Sequence, residues 1–255
     1  MPAVHHWRVP GHWRAIDFLS DLHLAENTPR TFEAFAAHLR GTDADAVVIL
    51  GDLFEVWVGD DARLFGFEAD CARVLADATA RRVVAFMAGN RDFLVGAAML
   101  EACGVMHLPD PTLLHAFGEQ ALLTHGDALC LSDTAYQQFR ALVRSDEWQR
   151  DFLARTLSER RRIARGYREE SQQNKMRKGT WVDLDKPAAV EWLAAAGSTR
   201  MIHGHTHMPA DETIAPGITR HVLSDWDLDH PGAAPRAEVL RWQASGLVRI
   251  APVSA

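Results

Sequence analysis

Five short polar clusters in this 255-residue chain hold the residue types of a two-metal phosphoesterase site. They are Asp21-Leu22-His23, Gly51-Asp52, Gly89-Asn90-Arg91-Asp92, His125-Gly126-Asp127 and His203-Gly204-His205-Thr206-His207. Carboxylate, carboxamide and imidazole suit hard or borderline ions such as Mn²⁺, and two ions held close together need a shared carboxylate to offset their repulsion. Asp21, His23, Asp52, Asn90, His125, His205 and His207 supply such a set without a cysteine. Singly these residues say little, because Gly-Asp after a strand is often a turn and a lone histidine is more often a satisfied polar residue. As five blocks in order they specify one site.

The elements that must position them are legible around each block. Apolar runs that read as buried strands precede the clusters: Ile16 to Leu19, Val47 to Leu50, Val83 to Met87, Ala121 to Leu123 and Met201-Ile202. Ligands collect at the carboxyl edge of parallel strands in α/β sheets, which is where all five blocks fall. Thr28 and Pro29 read as an N-cap and first helical residue, and Phe32, Phe35, Ala36 and Leu39 follow at helical spacing. With a second helix around Glu68 to Thr79, the alternation is βαβαβ, which predicts a largely parallel sheet with right-handed crossovers. Leu113 to Phe117 and Ala121 to Thr124, around Gly118-Glu119, read as a hairpin. Asp185-Lys186-Pro187 starts a helix through Ala196, and the runs near Ile218 to Leu223, Val239 to Trp242 and Leu247 to Ile250 predict a second, mainly antiparallel sheet.

Between the fourth and fifth blocks the pattern changes. Ser132 to Lys178 holds one Gly and no Pro, and mixes arginine with Phe139, Leu142, Val143, Trp148, Phe152, Leu153, Leu157 and Ile163. This predicts two or three amphipathic helices inserted above the site, a cap at about 132–180 within a single domain spanning 1–255. The net charge of -7 is unevenly spread: 12 Lys and Arg stand against 6 Asp and Glu between 134 and 178, leaving 15 against 28 elsewhere. A basic island of this kind suits an anionic substrate or an anionic membrane face, and equally a solvated helical surface. The acidic remainder repels nucleic acid.

Hydrophobic content of 47% and charge of 24% are ordinary for a globular protein of one large α/β domain. No stretch approaches the roughly 18 apolar residues of a membrane span, and the N-terminus lacks the apolar core of a signal peptide. A cytosolic location is expected, with Cys71, Cys103 and Cys130 as buried reduced thiols.

On these blocks the chain resembles the calcineurin-like metallophosphoesterase superfamily, whose ordered motifs are D-x-H, G-D, G-N-H/R, H-G and G-H-x-H. The longer stretches Leu50-Gly51-Asp52-Leu53-Phe54-Glu55, Trp57-Val58-Gly59-Asp60-Asp61, Gly89-Asn90-Arg91-Asp92-Phe93-Leu94 and His125-Gly126-Asp127-Ala128-Leu129-Cys130 are similar to the UDP-2,3-diacylglucosamine pyrophosphatases of the lipid A pathway. The resemblance runs from about Ile16 to Leu223. It implies a two-sheet αββα sandwich with an inserted helical cap. It further implies two Mn²⁺ ions, one held by Asp21, His23, bridging Asp52 and His207, the other by Asp52, Asn90, His125 and His205. His203 stays outside this set.

Further implications follow from the same resemblance. Asp52, Asn90 and Arg91 serve catalysis, with Arg91 neutralising charge on the phosphoryl oxygens; a structural ion pair of Arg91 with Asp60 or Asp61 is the alternative. Asn90, Arg91, Asp133, Ser171, Lys175, Lys178 and His205 contact a diacylated UDP-sugar lipid. The basic charge itself, apart from the resemblance, leads to the expectation of a peripheral position on the cytoplasmic face of the inner membrane, with the Arg160-Arg161-Arg162 run against anionic headgroups, and no obligate protein partner is expected. Lys175, Met208 and Ser224-Asp225-Trp226-Asp227 depart from the family's usual residues. A cyclic-nucleotide phosphodiesterase, a nuclease, or a binding scaffold without catalysis are the competing readings.

Overall fold

Strand alternation decides the architecture. In a computed structural model, which describes residues 1–178, 182–232 and 234–254 and the side chains of these outside 169–178, the chain opens with β1 (His5–Arg8) and β2 (Ala15–Leu19). Then come α1 (Pro29–Gly41), β3 (Ala46–Leu50), α2 (Gly66–Thr79), β4 (Val83–Met87), α3 (Ala97–Cys103) and β5 (Met106–His107). Successive side chains of a strand point to opposite faces. Ile16 and Phe18 of β2, Val48 and Leu50 of β3, and Ala85 and Met87 of β4 therefore face one way, into a core shared with a second sheet. Leu19, Val47, Ile49, Val84 and Phe86 face the other way, against Phe35, Leu39, Cys71, Leu75 and Met99 of the helices.

The second sheet is built from β6 (Thr112–Ala116), β7 (Glu119–Thr124), β8 (Arg200–His203), β9 (Ala210–Ala215), β10 (Ile218–Val222) and β1. Its inner face supplies Leu114, Ala116, Ala121, Leu123 and Ile202 to the shared core. Its outer face packs Leu113, Leu122 and Met201 on Ala189 and Leu193 of α7 (Lys186–Ala196). The layers are helix, sheet, sheet, helix.

Two expectations are corrected. The last three apolar runs do not form one antiparallel sheet. Ile218–Val222 joins the second sheet, parallel to β8, while β11 (Val239–Gln243) and β12 (Gly246–Ile250) extend the first. The reason is burial: pairing Leu240 with Phe18 and Trp242 with Ile16 puts Leu240 and Trp242 into the core between the sheets. Thr28, in turn, does not cap α1 with its side chain; its hydroxyl is occupied by the backbone of Ala25. Asp229, from far along the chain, accepts the amides of Arg30 and Thr31 instead, at 3.0 and 2.9 Å.

Between β7 and α7 lie α4 (Thr134–Val143), α5 (Asp146–Leu153) and α6 (Leu157–Lys178). Asp133 caps α4 by accepting from Tyr136 N, and Ser145 caps α5 by accepting from Trp148 N, both at 3.3 Å. Among the described residues no helix is long and apolar enough to cross a membrane.

Candidate metal centre

The five blocks converge where the carboxyl ends of both sheets meet. Loop-to-loop hydrogen bonds lace them together: Asp21 N to Gly51 O at 3.1 Å, His23 N to Asp52 O at 3.0 Å and Gly204 N to His125 O at 3.0 Å. Asp21, His23, Asp52, His205 and His207 all sit on left-handed backbone, with φ between 49° and 69°. L-residues adopt this conformation at a cost of about 1–2 kcal/mol each, so the surrounding lacing must hold them there. Two glycines make the approach possible. A Cβ on Gly89 would collide with Asp52, and one on Gly204 with Ser20 and Asp21.

Asp21 Oδ2 is satisfied by the Ser20 hydroxyl at 2.6 Å and the His205 amide at 2.8 Å. Asp21 Oδ1 is buried with no hydrogen-bond partner, 3.4 Å from His207 Nε2 and 4.0 Å from His23 Nε2. The two imidazole nitrogens are 3.2 Å apart. Asp52 divides its oxygens, Oδ2 lying 3.9 Å from His23 Nε2 and Oδ1 3.6 Å from His125 Nε2. On that second side Asn90 Oδ1 is 3.0 Å from His125 Nε2 and 2.8 Å from His205 Nδ1. A buried carboxylate oxygen without a donor, facing imidazole nitrogens and a carboxamide oxygen, is the environment of a divalent cation. Ligand atoms of Asp21, His23 and His207 lie within 4.8 Å of one another, as do those of Asp21, Asp52 and His125. All seven expected ligands are thus brought together, with Asp21 as well as Asp52 reaching toward both groups.

Carboxylates and imidazoles at this centre shift one another in both directions. Burial would lower the His125 pKa, yet Asp52, Asp21 and Asp127 push it up to about 9. Burial would raise the pKa of Asp21, but His207, His125 and His23 hold its carboxyl well below the usual range. His205 is driven down to about 4, first by burial and then by His125. Asp92 is pushed up to about 7 by burial and by Asp52. Its carboxyl gathers the amides of Leu53 at 2.7 Å, Gly89 at 2.8 Å, and Asp52 and Phe54 at 3.3 Å, tying the Gly-Asp loop to the Asn-Arg-Asp loop.

Three further carboxylates, each inside a stretch noted in the sequence, have roles that their spacing does not mark. Glu55 Oε2 lies 2.8 Å from His23 Nδ1, and Asp225 Oδ2 lies 3.7 Å from His207 Nδ1, so both histidines have an acid behind the ring. Asp225 is held in turn by Arg236 at 2.6 Å. Asp127, fully buried, accepts from Tyr136 Oη at 2.5 Å and Arg140 Nε at 2.7 Å, and so fastens α4 beside the site. The Tyr136 ring lies 5.9 Å from that of His205.

The other candidate residues fall in varied places. Arg91 donates its backbone amide to Asp52 Oδ1 at 2.8 Å, and its Nε is buried without an acceptor. Asp61 pairs with Arg160, and Asp60 takes Trp57 Nε1 and the amides of Gly96 and Met99. Ser171, Lys175 and Lys178 lie outside the residues whose side chains are described. His203 is buried behind the loop, its pKa lowered to about 4 by burial. Arg160 does not face solvent with Arg161 and Arg162. It is 4% exposed and is held by Val58 O and Asp61, so it cannot meet headgroups.

A family profile described as calcineurin-like phosphoesterase matches residues 15–209. A protein of Chromobacterium violaceum named UDP-2,3-diacylglucosamine hydrolase is 46% identical over 217 residues, covering 83% of this chain and 90% of its own length. Proteins of the same name from Xanthomonas campestris pv. campestris and Aromatoleum aromaticum are 42% and 40% identical over 243 and 237 residues. Each covers 90% of this chain and, respectively, 96% and 93% of its own.

Proposed function

We infer the activity of this chain from its family: it belongs to the calcineurin-like phosphoesterases. The substrate in the name of its relatives, UDP-2,3-diacylglucosamine, is the one we assign to it. The reaction is hydrolysis of the pyrophosphate at the uridine-side phosphorus, giving UMP and 2,3-diacylglucosamine 1-phosphate, with two Mn²⁺ ions. The observation that carries this reading is Asp52, whose two oxygens turn toward different histidines while the buried Asp21 Oδ1 lacks a donor.

Asp21, His23, Asp52 and His207 would hold one ion, and Asp52, Asn90, His125 and His205 the other. Bound divalent ions lower the pKa of water toward ~7 and offset phosphoryl charge. The chain does the rest. Arg91, its Nε lacking an acceptor, supplies a guanidinium for the phosphoryl oxygens. Helices α4 to α6 receive the diacylglucosamine end and leave the uridine-side phosphorus over the floor, and Asp133, Ser171, Lys175 and Lys178 are the polar contacts proposed along them. The exposed Arg161, Arg162 and Arg165 give the insertion a basic outer face toward anionic lipid on the cytoplasmic side of the inner membrane.

Hydrolysis in ¹⁸O-labelled water tests the assignment. The attacking oxygen forms the new bond to the uridine-side phosphorus while the bridging oxygen leaves with the sugar phosphate, so the label belongs in UMP. Label in the lipid phosphate would reverse the binding direction. No UMP from the diacylated substrate, with metal bound, would favour a cyclic-nucleotide or polynucleotide phosphodiester instead.

A further inference from the structure

We infer that Glu55 is a positioning residue that couples the metal floor to the helical insertion, its carboxylate holding His23 on one side and Arg168 of α6 on the other. This rests on the metal-binding reading above. Glu55 Oε2 makes a 2.8 Å ion-pair contact with His23 Nδ1, close but out of line for a hydrogen bond, while Glu55 Oε1 is 2.6 Å from Arg168 Nη2, so each oxygen serves a different layer. The opposite nitrogen of the same imidazole, His23 Nε2, faces His207 Nε2 and Asp21 in the ligand group. A ring that binds a cation through Nε2 carries its proton on Nδ1. A carboxylate 2.8 Å from Nδ1 favours that tautomer electrostatically and makes Nε2 the stronger donor. His125 offers a contrast within the same site, because its Nδ1 meets the neutral carbonyl of Leu50 at 2.8 Å.

Arg168 gives this arrangement its second consequence. The helix α6 is attached to the floor's loops at Arg160, through Asp61 and Val58 O, and two turns later at Arg168, through Glu55. Eight residues of helix span about 12 Å, so the helix is pinned at two separated points. The second pin passes through a carboxylate already engaged with a ligand. Cation binding at His23 and docking of this part of α6 are therefore linked, and linkage is reciprocal: whatever holds Arg168 against Glu55 strengthens the ion's site, and the ion strengthens the docking.

Calorimetric titration of metal-free protein with Mn²⁺ tests this in the wild type, Glu55→Gln, Arg168→Ala and the double variant. Glu55→Gln should weaken binding at one of the two sites by about 10–100-fold, and Arg168→Ala by a smaller factor that Arg168→Lys partly restores. The double variant should bind no more weakly than Glu55→Gln alone, because Arg168 acts through Glu55. Losses that multiply in the double variant, or an unchanged affinity in Glu55→Gln, would overturn the coupling.

Hydrogen exchange of the amides of 157–168 gives a second readout, one that stands on Arg168→Ala alone should Glu55→Gln fail to fold. Mn²⁺ should slow this exchange in the wild type and have no such effect in Glu55→Gln or Arg168→Ala. Asp225→Asn, which alters the acid behind His207, should keep the effect at saturating Mn²⁺. Persistence of the metal effect in Arg168→Ala would refute the link. Neither readout uses lipid substrate. Mn²⁺ binding without UMP release would thus mark failure of the substrate assignment, and an additive cycle failure of the coupling.

Discussion

In the floor of the site, five candidate ligand residues sit on left-handed backbone at the ends of strands, whereas the helices above reach the same loops through polar side chains, most of them arginines, and through apolar contacts such as Phe152 and Trp148. Arg140 and Tyr136 of α4 converge on Asp127, Arg160 of α6 on Asp61 and Arg168 on Glu55, while Arg144 donates to Gly89 O at 2.9 Å. The floor inherits its geometry from two sheets, from amides laced between loops and from the buried Asp92 that gathers four of them. The insertion is located by separate charged contacts together with apolar packing of Phe152, Trp148, Leu157 and Ile163 on the core beneath, and each charged contact can be removed without touching the strands. This is a division of labour: the floor rests on strand ends and laced backbone, and the docking of the helices above it rests on side chains that can be exchanged.

Breaking the floor should have the largest effect. Asp52→Ala removes the carboxylate shared between the two ligand groups, and a loss of several kcal/mol of transition-state stabilisation lowers UMP release roughly a thousandfold or more. Near wild-type turnover with Mn²⁺ present would sink the two-ion mechanism.

Breaking the strongest contact of the insertion comes next. Asp127→Ala strands the partly exposed Arg140 and the Tyr136 hydroxyl, and a polar group left without its partner costs about 1–3 kcal/mol. Denaturant unfolding would measure that loss. Kinetics should show use of the diacylated substrate falling further than hydrolysis of a small artificial phosphodiester. Equal losses on both would make Asp127 part of the floor.

Acid offers a test of the strand beneath the site. Asp17 is buried on β2 directly opposite Arg241 of β11, with Arg241 Nε 2.7 Å from its Oδ1. Burial alone would raise its pKa, but His38, Arg241 and Thr42 hold it down at about 2. Because the folded value lies below the unfolded one, the pair's stabilisation is fully present above about pH 4 and is lost as pH falls toward 2. The amount is about 2 kcal/mol. Urea unfolding at pH 6 and pH 3 should show this slope in the wild type and a shallower one in Asp17→Asn; equal slopes would assign acid sensitivity to other groups. The smallest change is Ser145→Ala, which removes the cap of α5 and should cost ~1 kcal/mol with small-diester hydrolysis unaltered.

The sequence reading succeeded where information is local. Val83 to Met87 is a strand end to end, and the residues that follow it, Gly89 to Asp92, reach the site because a strand's exit is where polar residues must begin. It failed where distant segments meet. Thr28 has the right type and place for an N-cap, yet Asp229 takes the amides. Arg160 reads as one member of an exposed basic run, but the carbonyl of Val58 and the carboxylate of Asp61 draw it inward. Glu55 and Asp225 carry no local signature of their roles, because what defines them is the far nitrogen of a candidate ligand histidine. The last two strands were placed in the wrong sheet for the same reason: their apolar alternation says that they are strands, and not which edge they join.

The pairing of Leu240 with Phe18 has a consequence for how this molecule comes into being. The strand that delivers Asp21 and His23 keeps one edge open until β11 arrives from the far end of the chain, and Asp21 O waits likewise for the amide of Trp226. During synthesis β2, β3 and β4 emerge early and can pair with one another. Contacts between distant segments form slowly, and an unpaired strand edge invites association with other chains. Asp21 and His23, made early, thus gain their last strand and backbone partners only once residues 226–243 are available.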